Sequence, residues 1–508
     1  MNAGILAVES LDKFGEFEST YFRGKAYTNT ERLDYACRLA SVLQENGVKP
    51  GDRVAVMMAN CPEVTAAFHA IWRVGASILP VIPQLTPNEV HYLLEDSGAG
   101  VVLTSPQLAN AAAKASEGLP AFRQMLCFGE STVEGAVDIA PLVPQANPVE
   151  NLVDCKSDDM AILMYTSGTT GKPKGVMLSH NNILTNHRAL STLRPQEPGT
   201  RGMSLLPMSH IFGVLTMNMG YIFGATGVLH EFFNPIDAME CIQDFKVQRF
   251  GAVPTMLTAL IHCPGREEYD VSSLEQIGCG ASALLNETRL KFEELFGCEV
   301  IEGYGMTECG AAATSYPANE PYRPGSVGKA IPSVEVGILD DDDNVLGPNE
   351  TGEICMRGEG IMLGYWNRPE ATAEALKNGW LHSGDVGNMC EEGFVRITDR
   401  KKDLIIKGGE NISAREIEEA LYQHPAVIEA AVVAVPDAKF VETIAAAIVL
   451  NPTIETNEQE LADHLRQYIT KFKIPTYFVF KPMLPKNSTG KMLKRTLRDD
   501  IAKELSLN

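Results

Sequence analysis

Eleven consecutive residues, Tyr165-Thr166-Ser167-Gly168-Thr169-Thr170-Gly171-Lys172-Pro173-Lys174-Gly175, gather hydroxyls, glycines and two lysines between apolar Ala161 to Met164 and apolar Val176 to Leu178. Glycines let backbone N–H groups approach phosphate oxygens, hydroxyls add donors, and ammonium groups neutralise charge. The stretch Thr166 to Lys172 therefore suits a loop that wraps a triphosphate. The common P-loop needs a second glycine five residues after the first, with lysine behind it. Five residues beyond Gly168 stands Pro173, so that pattern fails.

A second group is Gly303-Tyr304-Gly305-Met306-Thr307-Glu308, behind a strand predicted over Glu299 to Glu302. The glycines permit close backbone approach, Tyr304 offers an aromatic face to a purine, Thr307 a phosphate donor, and Glu308 a hard oxygen for Mg²⁺. In Ser383-Gly384-Asp385-Val386 a carboxylate behind a tight turn can accept from both hydroxyls of a ribose. Near the end, Pro485-Lys486-Asn487-Ser488-Thr489-Gly490-Lys491 sets a lysine on a glycine-containing loop, able to reach into a cleft between two domains. His210, in Leu206 to Gly213, lies beside apolar residues; His180, in Leu178-Ser179-His180, reads as structural.

Over nearly its whole length, in the order and spacing of these blocks, the chain resembles the adenylate-forming superfamily of acyl-CoA synthetases, peptide-synthetase adenylation domains and beetle luciferases. The resemblance implies ATP, Mg²⁺ and CoA as ligands, with Thr166, Ser167, Gly168, Thr169, Thr170, Gly171 and Lys172 on the phosphates. Thr170 and Glu308 would hold the metal. Gly280, Ala281 and Ser282 would line the adenine and acyl pockets with Gly303, Tyr304, Gly305 and Met306, while Asp385 and Arg400 take the ribose and phosphate. Lys491 would bridge carboxylate and α-phosphate, so that Lys491, His210, Thr307 and Glu308 carry catalysis. The C-terminal domain would rotate about Lys402, two positions beyond Arg400, where many members have Asp. Rotation would present Gly408 and Gly409 to the pantetheine arm.

These residues need a scaffold. A capping pair, Thr28 with Glu31, opens an amphipathic helix to about Asn46, closed by Gly47 and Pro50-Gly51-Asp52. A strand at Arg53 to Met58, a helix at Pro62 to Val74, a strand at Ser77 to Val81, a helix after Pro87 and a strand at Gly100 to Thr104 follow. The alternation resumes at Met160 to Met164, Phe250 to Val253 and Gln276 to Gly280. It predicts an α/β fold with doubly wound parallel sheets. From about 325 to 399 short strands at Val334 to Leu339, Gly352 to Arg357 and Gly393 to Ile397 predict a β-rich subdomain, with Asp340 to Asn344 as a solvated hairpin turn rather than a calcium loop. Beyond Arg400, a strand at Leu404 to Ile406, a helix at Ala414 to Tyr422, strands at Ile428 to Val435 and Thr443 to Leu450, and a helix at Glu458 to Ile469 predict a small α+β unit. Five consecutive charges, Asp399 to Asp403, suit an exposed hinge. The expected domains are thus 1–399, AMP-binding, and 400–508, mobile.

The net charge of −22 argues against general affinity for nucleic acid or anionic membrane. Eleven cysteines without a C-x-x-C pair predict free thiols in a reducing cytoplasm. Met1 to Ser10 lacks a secretory n-region, no apolar run approaches the ~20 residues of a membrane span, and Ser506-Leu507-Asn508 is not a peroxisomal address. A homodimer is a candidate assembly.

The expected reaction is that of an acid–thiol ligase: a carboxylate and MgATP give acyl-adenylate and pyrophosphate, then CoA displaces AMP. Malonyl-CoA synthetases carry arginine where this chain has Gly303, and the pocket stretches offer no cation besides His210, so the acid is an apolar monocarboxylate. Small residues at Gly303, Gly305, Gly310 and Ala311 to Ala313 predict a deep channel for a medium- or long-chain fatty acid. Alternatives are an aryl acid such as benzoate or coumarate, and a stand-alone adenylation enzyme that loads a carrier protein.

Overall fold

A computed structural model describes residues 1–166, 172–407, 410–437, 440–486 and 492–507. Two large sheets carry the first 330 residues. One has eight strands, in the order Gly364–Tyr365, Lys174–Ser179, Met160–Thr166, Ser77–Pro80, Arg53–Met57, Val101–Thr104, Gln124–Cys127 and Ala136–Asp138. Its strands from Met160–Thr166 to Ala136–Asp138 are parallel. The other has seven, in the order Glu299–Glu302, Gln276–Cys279, Arg249–Ala252, Arg201–Ser204, Thr226–Leu229, Glu18–Phe22 and Lys25–Thr28, parallel except for the last pair.

Burial on both faces explains the continuous apolar strands. In Arg53–Met57, Val54 and Val56 join one core while Ala55 and Met57 join another on the opposite face. The first core also holds Phe68 and Trp72 of helix Pro62–Arg73, and Val214 and Met217 of helix Ile211–Phe223. These two helices fill the space between the sheets. Helix Asn29–Glu45 begins as the sequence predicts, with Thr28 and Glu31 forming a reciprocal capping box.

An antiparallel sheet follows, Glu335–Leu339, Gly352–Arg357, Leu381–Met389 and Val395–Arg400. Asp340 to Asn344 is the predicted hairpin turn, closed by Asp340 N–H donating to the Asn344 carbonyl at 3.0 Å. After it, strands Ile405–Lys407, Glu410–Ile412, Val427–Asp437, Val441–Leu450 and Tyr477–Phe480 form a separate sheet. Helices Ala414–Tyr422 and Glu458–Leu465 share a core on one of its faces, and helix Lys494–Glu504 packs on the other.

Four features differ from the sequence reading. Ser383 to Asp385 lies inside the nine-residue strand Leu381–Met389, not in a turn. Gly384 at φ +73° kinks the strand there, which gives the motif its turn-like composition. The last strand of that sheet runs to Arg400, and Asp399 is buried, accepting from Ser413 Oγ at 2.8 Å; the five charges are not all exposed. Where the sequence reading has parallel sheets, the strands either side of the triphosphate run pair antiparallel, with Thr166 opposite Lys174. The helix predicted to Ile469 ends at Leu465.

Candidate active site

Several of the expected site residues stand just past the ends of parallel strands: His210, Gly280 to Ser282 and Gly303 to Glu308 follow Arg201–Ser204, Gln276–Cys279 and Glu299–Glu302. Past strand Glu299–Glu302, Tyr304 bridges Thr314, and a Cβ on Gly305 would lie 2.0 Å from the Ala311 carbonyl oxygen, so only glycine fits. This tight loop leads into a single turn, Thr307–Cys309, that buries Thr307 and Glu308. Tyr365 Oη donates to Glu308 Oε1 at 2.9 Å, and Lys174 Nζ lies 4.8 Å from the Tyr365 ring centroid. Burial and the Glu308 charge push the Tyr365 phenol up, so it stays a donor. A buried carboxylate that accepts from this phenol is a hard-oxygen donor that fits Mg²⁺.

Asp385 is the second buried carboxylate. Its Oδ2 accepts from Tyr304 Oη at 2.7 Å and its Oδ1 lies 3.1 Å from Arg400 Nε, its register partner on the next strand. Tyr304 thus ties the Gly303 loop to the antiparallel sheet by its hydroxyl. Gly384 N–H donates to Glu353 Oε1 at 2.9 Å, while the Gly384 carbonyl accepts from Lys401 N at 2.8 Å. Lys402 follows on the exposed turn after Arg400.

His210 caps helix Ile211–Phe223. Its Nδ1 accepts from Phe212 N–H at 3.2 Å, which places the proton of the neutral ring on Nε2. A Cβ on Gly213 would sit 2.1 Å from the Pro207 carbonyl oxygen, so glycine is required for the turn that presents His210. A Cβ on Gly280 would lie 3.3 Å from the Gly303 carbonyl and 3.7 Å from Phe212, so Gly280 joins the two segments; Ala281 beside it is held at φ +68°. Ser282 follows, exposed, on the same loop. Met306 caps the Thr307 turn.

Thr166 ends its strand, and Lys172 Nζ lies 4.8 Å from the Tyr92 ring centroid. Helix Pro87–Ser97 braces both legs of this segment. Tyr92 Oη donates to the Pro173 carbonyl at 3.1 Å, and Tyr165 Oη donates to Asp96 Oδ2 at 2.6 Å, with Arg368 paired to Asp96 at 2.8 Å. Ser167, Gly168, Thr169, Thr170, Gly171, Gly408, Gly409 and Lys491 lie outside the described residues.

Three supports escaped the sequence reading: Tyr365, the Asp96 cluster, and Asn186 with His187. Asn186 Nδ2 donates to the carbonyls of Cys309 and Ala312 at 2.8 and 2.7 Å. His187 Nδ1 accepts from Asn218 Nδ2 at 3.0 Å, so its Nε2–H faces the Gly310 carbonyl at 3.2 Å. The loop behind Glu308 is thereby pinned from helix His180–Leu193. His180 is structural as expected, buried with Nδ1 accepting from Ala3 N–H at 3.0 Å.

The channel differs from expectation as well. Gly305 and Gly310 are small because backbone packs on them: a Cβ on Gly310 would lie 3.2 Å from the Gly360 carbonyl, and Ala313 is fully buried. Room lies instead at Gly278, on strand Gln276–Cys279, and at Gly220, in helix Ile211–Phe223. Gly278 and Gly251 are register neighbours on adjacent strands. A Cβ on Gly251 would meet Thr216, Leu206 and Phe212 at 3.0 to 3.6 Å, whereas one on Gly278 or Gly220 would meet no described atom within 4 Å.

The fold is that of adenylate-forming enzymes, and the chain belongs to the AMP-binding enzyme family. The family model for the AMP-binding enzyme matches residues 8–366, and that for the AMP-binding enzyme C-terminal domain matches residues 416–491. A long-chain-fatty-acid–CoA ligase of Bacillus subtilis is 34% identical over 525 residues, covering 97% of this chain and 94% of the relative. Anthranilate CoA ligase AuaEII in complex with anthranoyl-AMP superposes with TM-score 0.94 at 25% identity, covering 100% of this chain and 98% of that one. ATP-bound MatB from Rhodopseudomonas palustris superposes with TM-score 0.90 at 29% identity, covering 99% of this chain and 100% of that one. The chain is an AMP-forming ligase of this kind, using ATP and Mg²⁺.

Proposed function

We propose that the enzyme converts a medium- or long-chain fatty acid to its CoA thioester through an acyl-adenylate. The observation that supports this choice of acid is the room beside Gly278 and Gly220, where an added Cβ would meet no described atom within 4 Å. The curated relatives' activity on long-chain fatty acids supports the same reading.

In the first step a carboxylate oxygen attacks the α-phosphorus, and the bond to pyrophosphate breaks with its electron pair leaving on pyrophosphate. Asp385 accepts from the ribose hydroxyls, with Arg400 and Tyr304 fixing its two oxygens. His210 Nε2–H donates to the substrate carboxylate. Gly280 to Ser282 and Gly303 to Met306 line the adenine and acyl pockets, Thr307 donates to a phosphate, and Thr166 to Lys172 wrap the triphosphate. Glu308 and Thr170 would hold Mg²⁺, which would neutralise phosphate charge there. Lys491 offsets the repulsion between two anionic oxygens and so stabilises the pentacovalent state. In the second step the CoA thiolate attacks the acyl carbonyl and AMP departs with the bonding pair.

The same reading divides the chain into domains 1–399 and 400–508, turning about Lys402 so that Gly408 and Gly409 replace Lys491 at the site. Every residue it uses comes from one chain, so the homodimer is not needed for the chemistry. Eleven free cysteines, nine of them buried, suit a reducing cytoplasm. Lys491→Ala tests the assignment. It should abolish adenylation while thioester formation from supplied acyl-adenylate continues; equal loss of both half-reactions would sink the role.

A further inference from the structure

On the strand that carries Asp385 and its neighbour, three side chains converge without a part in the proposed chemistry. Glu353 and Cys355 stand two apart on strand Gly352–Arg357 and so face the same way; His382, on Leu381–Met389, is the register partner of Cys355. His382 Nδ1 lies 3.5 Å from Cys355 Sγ and 3.3 Å from Glu353 Oε2, and the three donor atoms all fall within 4.8 Å of one another. Tetrahedral zinc with bonds of about 2.3 Å to sulfur and about 2.0 Å to nitrogen and oxygen places its ligands about 3.5 Å (S to N) and about 3.3 Å (N to O) apart. The observed separations match both.

The surroundings complete the pattern. Gly384 N–H occupies Glu353 Oε1, leaving Oε2 on the side of the histidine. His382 Nε2 is buried without a hydrogen bond and faces Asp343 Oδ1 at 3.8 Å, while Asp343 is anchored by Lys377 and by Asn378 Nδ2, each at 2.7 Å. A ligating imidazole that turns its other N–H to an anchored carboxylate is the usual outer-shell arrangement of a protein metal site. Lys401 Nζ, 3.8 Å from Glu353 Oε2, is the competing cation, but it also pairs with exposed Asp341 and can remain there.

We propose that Glu353, Cys355 and His382 form a site for a borderline-soft divalent metal of the zinc class, distinct from the hard-oxygen position at Glu308, with a water in the fourth place. Binding releases the Cys355 proton to solvent and leaves the thiolate on the metal. Full-length protein stripped by chelator and titrated with Co²⁺ should develop a thiolate-to-cobalt charge-transfer band and intense tetrahedral d–d bands, reversed by Zn²⁺. Cys355→Ser should remove the charge-transfer band, His382→Gln should remove the tetrahedral bands, and Asp343→Ala should weaken Co²⁺ about 10- to 100-fold. Near-ultraviolet circular dichroism checks that each variant is folded. A spectrum that stays that of aqueous Co²⁺ would mean a trio joined only by hydrogen bonds and would overturn the proposal. So would bands that survive Cys355→Ser, which would place the ion on another thiol.

Discussion

Replacing Tyr365 by Phe isolates one hydrogen bond that holds Glu308 in place. The change deletes one oxygen whose hydrogen bond to Glu308 Oε1 measures 2.9 Å, and it leaves the ring under Lys174. Glu308 is 7% exposed, so water does not replace the lost donor freely. A hydrogen bond to a charged group contributes about 1.5–3 kcal/mol, and each 1.36 kcal/mol is tenfold, so about 10- to 150-fold is at stake. If Glu308 serves the metal and the phosphates, the loss should appear in kcat/KM for MgATP in pyrophosphate exchange, together with a raised Mg²⁺ requirement. Thioester formation from supplied acyl-adenylate should be nearly unchanged. Equal losses in both half-reactions, or a fall in melting temperature with an unaltered Mg²⁺ dependence, would refute the reasoning.

Three further outcomes follow from the geometry. Asp385→Asn keeps the shape but removes the charge that faces Arg400; if that carboxylate accepts from the ribose hydroxyls as proposed, KM for ATP should rise about 10- to 100-fold, read by pyrophosphate exchange, with acyl selectivity intact. Glu302 is buried, and burial raises its carboxyl to about 7, against 4.5 ordinarily, despite the nearby Arg415 guanidinium. The raised group favours the fold below its unfolded value and loses that contribution as pH climbs through 7; Glu302→Gln should therefore stabilise by roughly 2–3 kcal/mol at pH 8 and little at pH 5, measured as urea midpoints. A Gly278→Met side chain enters space where a Cβ meets no described atom within 4 Å, so turnover of hexadecanoate should fall sharply while octanoate is retained; an equal drop for both would contradict the channel.

Much of this was legible in the chain because it is local. Capping at Thr28 with Glu31, burial of Arg53–Met57 on both faces and the Gly303 to Glu308 loop depend on neighbours a few positions away. The supports were not legible, since their partners are remote: Asn186 reaches Cys309 across 123 positions, and Arg368 reaches Asp96 across 272. Small residues also misled. Glycine at 305 answers a backbone contact, whereas glycine at 278 leaves space, and the two look alike in sequence. Strand Leu381–Met389 was hidden because Ser383, Gly384 and Asp385 read as turn residues; cross-strand partners of His382 at Cys355 and of Asp385 at Arg400 keep the segment in the sheet.

The central claim is most directly tested by incubating the purified enzyme with MgATP, CoA and, in separate reactions, octanoate, hexadecanoate, benzoate and coumarate, following AMP and thioester together. The account predicts AMP and thioester in equal amounts from the straight-chain acids. Thioester from the aromatic acids alone would contradict the fatty-acid assignment, and AMP without thioester would contradict CoA as the acceptor.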